Sequence, residues 1–192
     1  MLKDVEATNH FFGVTLFNPS NSFIERPAIG SIGCVAEIRD IQPLPDGRSN
    51  IVTIGLIRYR LLDYVEADGP YLVGEVEFFE DEKENAEILN PIADEVFMLF
   101  KRIARAAHKL SGERGVFPDI PQAEPEQVSF LVTGAFNLET ELKYELLEMR
   151  STIERLERLK NILLKTVDKM EAGAEIHKIS KTNGHSNRKI DF

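Results

Sequence analysis

The sequence is poor in the residues that build metal and disulfide sites. Its 192 residues include one cysteine, Cys34, and four histidines. A single thiol cannot form a disulfide within the chain or provide the paired cysteines of a structural zinc site. The histidines lack the close helical spacing of a zinc-protease motif. We therefore expect no metal and no cofactor, and we interpret Cys34 as a small, buried strand residue.

Long apolar runs are also missing. No stretch of about 18 apolar residues is present, so no membrane-spanning helix is expected. The N-terminal segment lacks the apolar core of a signal peptide, and we expect a cytoplasmic protein. The net charge is −9 and the pI is about 5.0. This acidic balance disfavours general nucleic-acid binding, which requires basic surface to contact phosphates.

The common catalytic motifs are absent as well. The chain has no G-x-x-x-x-G-K-[ST] phosphate loop and no G-x-S-x-G nucleophile turn. Ser129 and Ser151 have no base positioned near them in the sequence, and Ser151 is better explained as a helix cap. The residues therefore predict neither an ATPase nor a serine hydrolase.

The first half of the chain has the composition of a β-sheet. Segments rich in β-branched and aromatic residues predict strands near residues 11–17, 32–42, 50–64 and 71–80. The turn sequence Leu44-Pro45-Asp46-Gly47-Arg48 predicts a tight, exposed hairpin between the second and third strands. Gly55 is a candidate for a bend in the long third strand. The residues expected in the β core are Ile54, Leu56, Val73 and Val76.

The second half has the periodicity of helices. Residues 80–87 are predicted to be a solvated acidic connector, and Asn90-Pro91 then provides an N-cap and a first-turn proline. Helices are predicted near 125–136 and 139–149, and a capping box at Ser151 begins a fourth helix that ends before Gly173. We expect two domains, 1–82 and 83–172, and a polar, disordered tail at 173–192.

Two aromatic pairs and two arginines are candidates for partner binding. Adjacent phenylalanines on a strand face opposite sides, so each pair presents one ring outward, where a patch could bind extended polypeptide. The alternative is that the helical half covers these rings. The arginines could pair with Glu75 or Glu77 across the sheet or form an anion site, and we favour the pairs. The candidates are Phe11, Phe12, Arg58, Arg60, Phe78 and Phe79.

Several short motifs resemble one known family. The order is F-G-V at Phe12, G-C-V-A-E-I at Gly33, L-P-D-G-R at Leu44, G-L-I-R-Y-R-L-L-D-Y at Gly55 and Y-L-V-G-E-V at Tyr71. Together with a late helical segment, these motifs are similar to the N-terminal substrate-recognition domain of Lon proteases over residues 2–170. The resemblance implies an α+β protein, with a PUA-like β pseudo-barrel followed by a C-terminal helical bundle.

The resemblance also implies a role without catalysis. In Lon proteases the ATPase and Ser-Lys protease modules follow this domain, and neither fits into the residues already assigned to strands and helices. No catalytic residue is carried over, and the expected partner is a polypeptide segment or another protein. Two other hypotheses stay open: a PUA-like RNA-binding module, against which the acidic charge argues, and an enzyme with an unrecognised site.

The resemblance makes a further prediction about the N-terminus. Related domains begin with two additional strands ahead of the helix that leads into F-G-V, whereas only ten residues precede Phe11 here. We therefore expect either that Met1 is internal to a longer natural protein or that the barrel is open, with a bare sheet edge. In the alternative, Met1 is the true start and another segment, such as 18–30, fills the gap.

Overall fold

The computed structural model describes residues 1–17, 26–111, 117 and 119–183, with side chains up to Met170. The chain divides into two compact units, Met1–Glu80 and Asp81–Phe192. The first is a β unit and the second is helical, so the α+β class expected from the sequence is confirmed. Within the described residues, no helix is long and apolar enough to cross a bilayer.

In its described residues, the β unit contains one short helix and a four-stranded sheet. Helix α1 (Leu2–Glu6) precedes β1 (Phe11–Thr15), β2 (Ile32–Pro43), β3 (Ser49–Val65) and β4 (Val73–Phe79). All three pairings are antiparallel and the strand order is β1-β2-β3-β4, which leaves β1 and β4 at the two edges. The strand positions follow the sequence prediction closely because β-branched and aromatic residues mark each of these segments.

The turn between β2 and β3 has the predicted hairpin geometry. The Leu44 N–H donates to the Arg48 carbonyl over 2.7 Å, and the Gly47 N–H donates to the Leu44 carbonyl over 3.1 Å. Gly47 has a φ of +84°, a conformation that residues with a Cβ rarely adopt. The Arg48 side chain pairs with Asp46 and lowers the pKa of that exposed carboxyl group.

The distal part of this hairpin is exposed, which corrects the predicted composition of the β core. Ile54 and Leu56 are 48% and 49% exposed, although we predicted both to be buried. The pairing partner of Glu37 in β1 is Phe11, the first residue of that strand, and β4 begins to pair only at Arg58. Residues 39–43 and 49–56 therefore form a two-stranded arm, and two strands alone have too few neighbours to bury most of their side chains.

Register shifts accompany the long strands. Val35 pairs with Ile57 and Ala36 with Gly55, so Leu56 is the extra residue of a bulge that begins at the predicted bend. The other two residues predicted to lie in the β core, Val73 and Val76, are half-buried.

The part of the helical unit that the structure describes consists of four helices around one apolar core. They are α2 (Ala86–Ser111), α3 (Pro125–Ala135), α4 (Thr140–Glu148) and α5 (Thr152–Asn183). Two contacts show that α2 and α5 lie side by side in the same direction. Glu84, just before α2, accepts the Ile153 N–H over 2.9 Å, and Glu95 pairs with Lys160 over 2.6 Å further along both helices. The most deeply buried core residues are Val96, Val128, Val132, Leu146, Leu156, Leu159 and Leu163.

The N-terminus of α2 lies earlier than predicted. The helix begins at Ala86, and the Asn85 side chain accepts the Glu87 N–H over 2.9 Å as the cap. Pro91 is therefore inside the helix rather than at its first position. Both Asn85 and Asn90 have side chains suited to an N-cap, so local sequence alone did not distinguish them.

We had predicted that the acidic connector is solvated, and the structure corrects this prediction for two of its residues. The Asp81 side chain is almost fully buried against Arg155. Glu84 accepts hydrogen bonds from the Ser151 hydroxyl over 2.6 Å and from the Ile153 N–H over 2.9 Å. Ser151 in turn accepts the Glu154 N–H over 3.1 Å, so the predicted serine cap is present. Two acidic residues that are distant in sequence thus bind the start of α5, where the helix dipole favours negative charge.

Helix α5 also ends later than predicted. It continues through Gly173 to Asn183, whereas we expected Gly173 to follow its C-terminus. A single glycine inside a helix costs about 1 kcal/mol relative to alanine, and the flanking Ala, Glu and Lys residues favour helix. The predicted tail from residue 184 onward lies outside the described part of the chain.

Candidate functional site

The β unit contains an open cavity of about 660 Å³. Residues from both edge strands, β1 and β4, line it together with residues of β2 and β3, so the sheet curls around it. This curled, open sheet agrees with the pseudo-barrel that the family resemblance implies. No charged side chain belongs to the described lining. The side chains on which the argument below depends are Phe11, Thr15, Tyr59, Leu61, Leu72 and Val76. We call this cavity the apolar groove.

The Tyr59 ring forms the floor of the apolar groove. It is 6% exposed and packs over Gly13 of β1 and Gly33 of β2. A Cβ at Gly13 would lie 2.8 Å from the Tyr59 hydroxyl, and a Cβ at Gly33 would lie 2.6 Å from the Val14 carbonyl oxygen. Burial raises the pKa of the Tyr59 hydroxyl. The two glycines therefore make room for one aromatic ring, a relation between three strands that no local pattern reveals.

The rim of the groove combines one fixed tyrosine with exposed apolar side chains. The Tyr64 hydroxyl donates to the Pro27 carbonyl over 2.6 Å, and the Arg26 guanidinium lies 4.3 Å from the centre of its ring. Leu72, by contrast, is 59% exposed. Exposed apolar side chains around a groove are typical of a surface that binds another molecule.

The predicted candidate residues divide between two locations. Phe11 and Phe12 both belong to the lining of the groove, and Phe11 is more exposed than Phe12. Phe78 is exposed on β4 but does not belong to the described lining, and neither does Phe79. Of the residues predicted from the sequence, Phe11 and Phe12 thus lie at the groove, whereas Tyr59, Tyr64 and Leu72 were not among the candidates. Their only signal was aromatic or aliphatic character within a strand or turn.

The two candidate arginines contact groups of the β unit itself. Arg58 is only 5% exposed, with its guanidinium 4.7 Å from the centre of the Phe79 ring. Arg60 is exposed; its guanidinium donates to the Gly30 carbonyl over 3.4 Å, and its register partner on β4 is Glu77. Arg58 is thus buried rather than exposed, and its contact with the Phe79 ring accompanies this burial.

Cys34 is partly buried, and burial raises the pKa of its thiol. A thiol with a raised pKa is mostly protonated at neutral pH and is a weak nucleophile. Among the described residues, no group of three or more His, Cys, Asp or Glu side chains is arranged to hold a metal ion.

The most polar buried cluster lies in the helical unit and is structural. Arg155 is completely buried and forms a salt bridge with Asp81. Its guanidinium also donates to the Met149 carbonyl and to the Ser129 hydroxyl, each over 2.7 Å, and lies 4.2 Å from the centre of the Phe130 ring. Ser129 accepts this bond from a cation and donates to a main-chain carbonyl, so it is not activated as a nucleophile.

Comparison with known proteins identifies the domain. The family model for the ATP-dependent protease La (LON) substrate-binding domain matches residues 1–165. A Lon protease of Desulforamulus reducens is 25% identical over 149 residues, which are 78% of this chain and 18% of that protein. A Lon protease of Halothermothrix orenii is 27% identical over 176 residues, which are 85% of this chain and 20% of that protein. The chain thus spans about a fifth of the length of these curated relatives.

Solved structures agree on the fold. The crystal structure of a Lon N-terminal domain protein from Xanthomonas campestris has a TM-score of 0.53 at 21% identity, covering 82% of this chain and 79% of that chain. The N-terminal domain of a Mycobacterium avium complex Lon protease has the same TM-score at 19% identity, covering 80% and 89%. Because the family model covers most of its residues, the chain belongs to the family of Lon substrate-binding domains.

Proposed function

We propose that this protein recognises polypeptide segments through the apolar groove of its β unit and does so without catalysing a reaction. The observation that carries the proposal is a groove lining without charged side chains, in a chain of net charge −9 that belongs to a substrate-binding family. Apolar side chains are exposed in unfolded or extended polypeptides and buried in folded ones. An apolar groove therefore distinguishes the first kind of partner from the second.

We further propose Phe11 and Phe12 as partner-binding residues, since both line this groove. Arg58, Arg60, Phe78 and Phe79 stay predictions without such support. The RNA-binding alternative gains nothing from the groove, because its described lining carries no Lys or Arg side chain to meet phosphate. The cytoplasmic location, the domain limits predicted from the sequence and the lack of catalytic activity likewise stay predictions.

The test measures binding of a reduced, carboxymethylated protein that cannot fold, labelled for fluorescence anisotropy. Leu72→Ser removes an exposed groove side chain, and we expect affinity to fall about tenfold because an apolar contact of this size is lost. The matched control is Leu164→Ser in α5, where leucine is 42% exposed in the helical unit. Equal affinities of the two variants, or no binding by the natural chain, would contradict the proposal.

Two further arms examine the other hypotheses on the same preparation. Binding of a labelled uridine oligonucleotide in the same concentration range would favour the RNA-binding alternative. ATP-dependent degradation of casein by the pure chain would contradict the non-catalytic role. We expect neither signal.

A further inference from the structure

We propose that residues 81–84 form a strap that binds the start of α5, opens without unfolding of the helical unit and, when open, lengthens the junction between the two units. We call these four residues the strap. Every residue that carries this inference lies between Arg58 and Arg155 in the sequence. The strap is therefore independent of both chain termini, of the apolar groove and of the proposed binding role.

The β unit holds the chain up to its last strand residue. Phe79 ends β4, and its register partner is Arg58 of β3. The Arg58 guanidinium lies 4.7 Å from the centre of the Phe79 ring, and Arg58 is itself buried. The boundary between the two compact units follows Glu80. Phe79 is therefore part of the sheet, and Glu80 is the one residue left before the strap begins.

The helical unit binds the chain again at Asp81. The Asp81 carboxylate accepts hydrogen bonds from the Arg155 guanidinium and the Thr152 hydroxyl, and its side chain is 7% exposed. At the next residue, the Glu82 N–H donates to the Arg150 carbonyl over 2.9 Å. The strap is thus bound to the start of α5 through both a side chain and the main chain.

Glu84 binds the other end of the strap to the same segment. Its carboxylate accepts the Ser151 hydroxyl over 2.6 Å and the Ile153 N–H over 2.9 Å. Hydrogen bonds from a helix N-terminus to a carboxylate are charge-assisted and stronger than those between neutral groups. Directly after the strap, the Asn85 side chain caps α2. Both ends of the strap are therefore bound within residues 150–155.

The contacts of the strap are polar and lie near the surface. Glu82 and Lys83 are exposed, and Glu84 is half-buried. The apolar core of the helical unit includes none of the four strap residues. Segments that bury little apolar surface open at a lower free energy than a packed core. The strap can therefore open while the helices stay packed around their core.

Opening of the strap changes the length of the junction. While the strap is bound, Glu80 alone joins the two units. Once the strap opens, residues 80–84 can span up to about 17 Å. Each added residue also adds rotatable backbone bonds, so a longer junction permits more orientations. The strap thus determines how freely the two units move about their junction.

Trypsin measures the opening on the natural chain. Lys83 is the one lysine or arginine between Arg60 and Lys101, and its side chain is exposed. Cleavage requires the main chain around it to open, so the rate reports the open population. We expect cleavage after Lys83 to be at least about tenfold faster than after Lys160 in the packed part of α5. It should also be at least about tenfold slower than in a synthetic peptide of the strap sequence.

Two glutamate variants test how the strap is bound. Glu84→Ala removes the carboxylate that accepts two hydrogen bonds, and cleavage after Lys83 should become about tenfold faster. Glu82→Ala is the matched control, because Glu82 binds through its main chain and its side chain is exposed. It should change the rate by less than about twofold. Each rate is divided by that of a peptide with the same substitution. Asp81 is left intact, because its loss would leave Arg155 buried without its carboxylate.

NMR relaxation of backbone amides measures the effect on the junction. Replacing residues 81–84 by glycine and serine, together with Arg155→Met, removes the strap contacts and both buried charges. The rotational correlation times of the two units should then differ more from each other than they do in the natural chain. An insertion of glycine and serine directly after Glu80, which lengthens the junction but leaves the strap bound, should have the same effect.

The results separate the strap from its alternatives. Cleavage after Lys83 as slow as after Lys160 would show that the strap opens only when the helical unit unfolds. Cleavage as fast as in the peptide would show that the strap is not bound in solution. Either result overturns the proposal, as would equal rates for Glu84→Ala and Glu82→Ala. Correlation times unchanged by replacement of the strap would overturn its effect on the junction. A failure of polypeptide binding alters none of these outcomes.

Discussion

The two units of this protein bury their apolar side chains to different extents. In the helical unit, one core buries residues from all four helices, among them Val96, Leu146 and Leu159. In the β unit, few apolar side chains are fully buried, and Ile54 and Leu72 are among many that stay exposed. From this difference we predict that the helical unit contributes more to stability, while the β unit keeps apolar surface exposed. The predictions below test this comparison, from the largest expected effect to the smallest.

The first prediction concerns the buried ion pair of the helical unit. Asp81→Ala leaves the Arg155 guanidinium buried without its carboxylate, and we expect a loss of about 3–5 kcal/mol in the free energy of unfolding. Denaturant unfolding followed by circular dichroism measures the loss. The control is the double variant Asp81→Ala with Arg155→Met, which removes both charges and should recover part of it. Surface substitutions usually change the free energy of unfolding by less than about 1 kcal/mol. A loss that small for Asp81→Ala would show that Arg155 reaches solvent.

The second prediction concerns the helical core. Leu159 is 1% exposed, so Leu159→Ala should cost about 2–5 kcal/mol. Residue-resolved hydrogen exchange should place the loss in the helical unit, with little change in the amides of β2 and β3 if the units unfold separately. A uniform loss of protection in both units would mean that they unfold as one.

The third prediction concerns the floor of the groove. Gly33→Ala places a Cβ against the Tyr59 ring and the Val14 carbonyl, and overpacking of this kind costs about 1–3 kcal/mol. Gly69→Ala is the control, because a Cβ there would meet only the Tyr71 ring, at an ordinary distance of 3.5 Å. Equal melting temperatures for the two variants would contradict the close packing of Tyr59 on β2.

The fourth prediction concerns the two-stranded arm. Ile54 is 48% exposed, so Ile54→Ala should change the free energy of unfolding by less than about 1 kcal/mol. The measurement is the same denaturant titration used for Leu159→Ala. A loss as large as that of the core leucine would show that Ile54 is buried in solution, and the contrast between the two units would then be smaller than proposed.

Local structure was largely predictable from the sequence. The strands, the Pro45-Asp46-Gly47 hairpin and the Ser151 cap each depend on residues that are close together in the chain, so their patterns identified them. The first phenylalanine pair lies on a strand that lines the groove, and its role in binding stays a prediction. Predictions failed where two local signals competed, as for the caps Asn85 and Asn90, or where a weak signal was overridden, as for Gly173 within α5.

Long-range relations were decided by the tertiary structure alone. An acidic run looks solvated in sequence, yet Asp81 and Glu84 bind the start of α5 because the fold brings a buried arginine and free helix N–H groups to them. A strand of aliphatic residues looks buried, yet Ile54 is exposed because β1 and β4 do not extend alongside it. Residue type determined which segments became strands and helices. Only the register and curvature of the sheet decided which apolar residues would be left to line a groove.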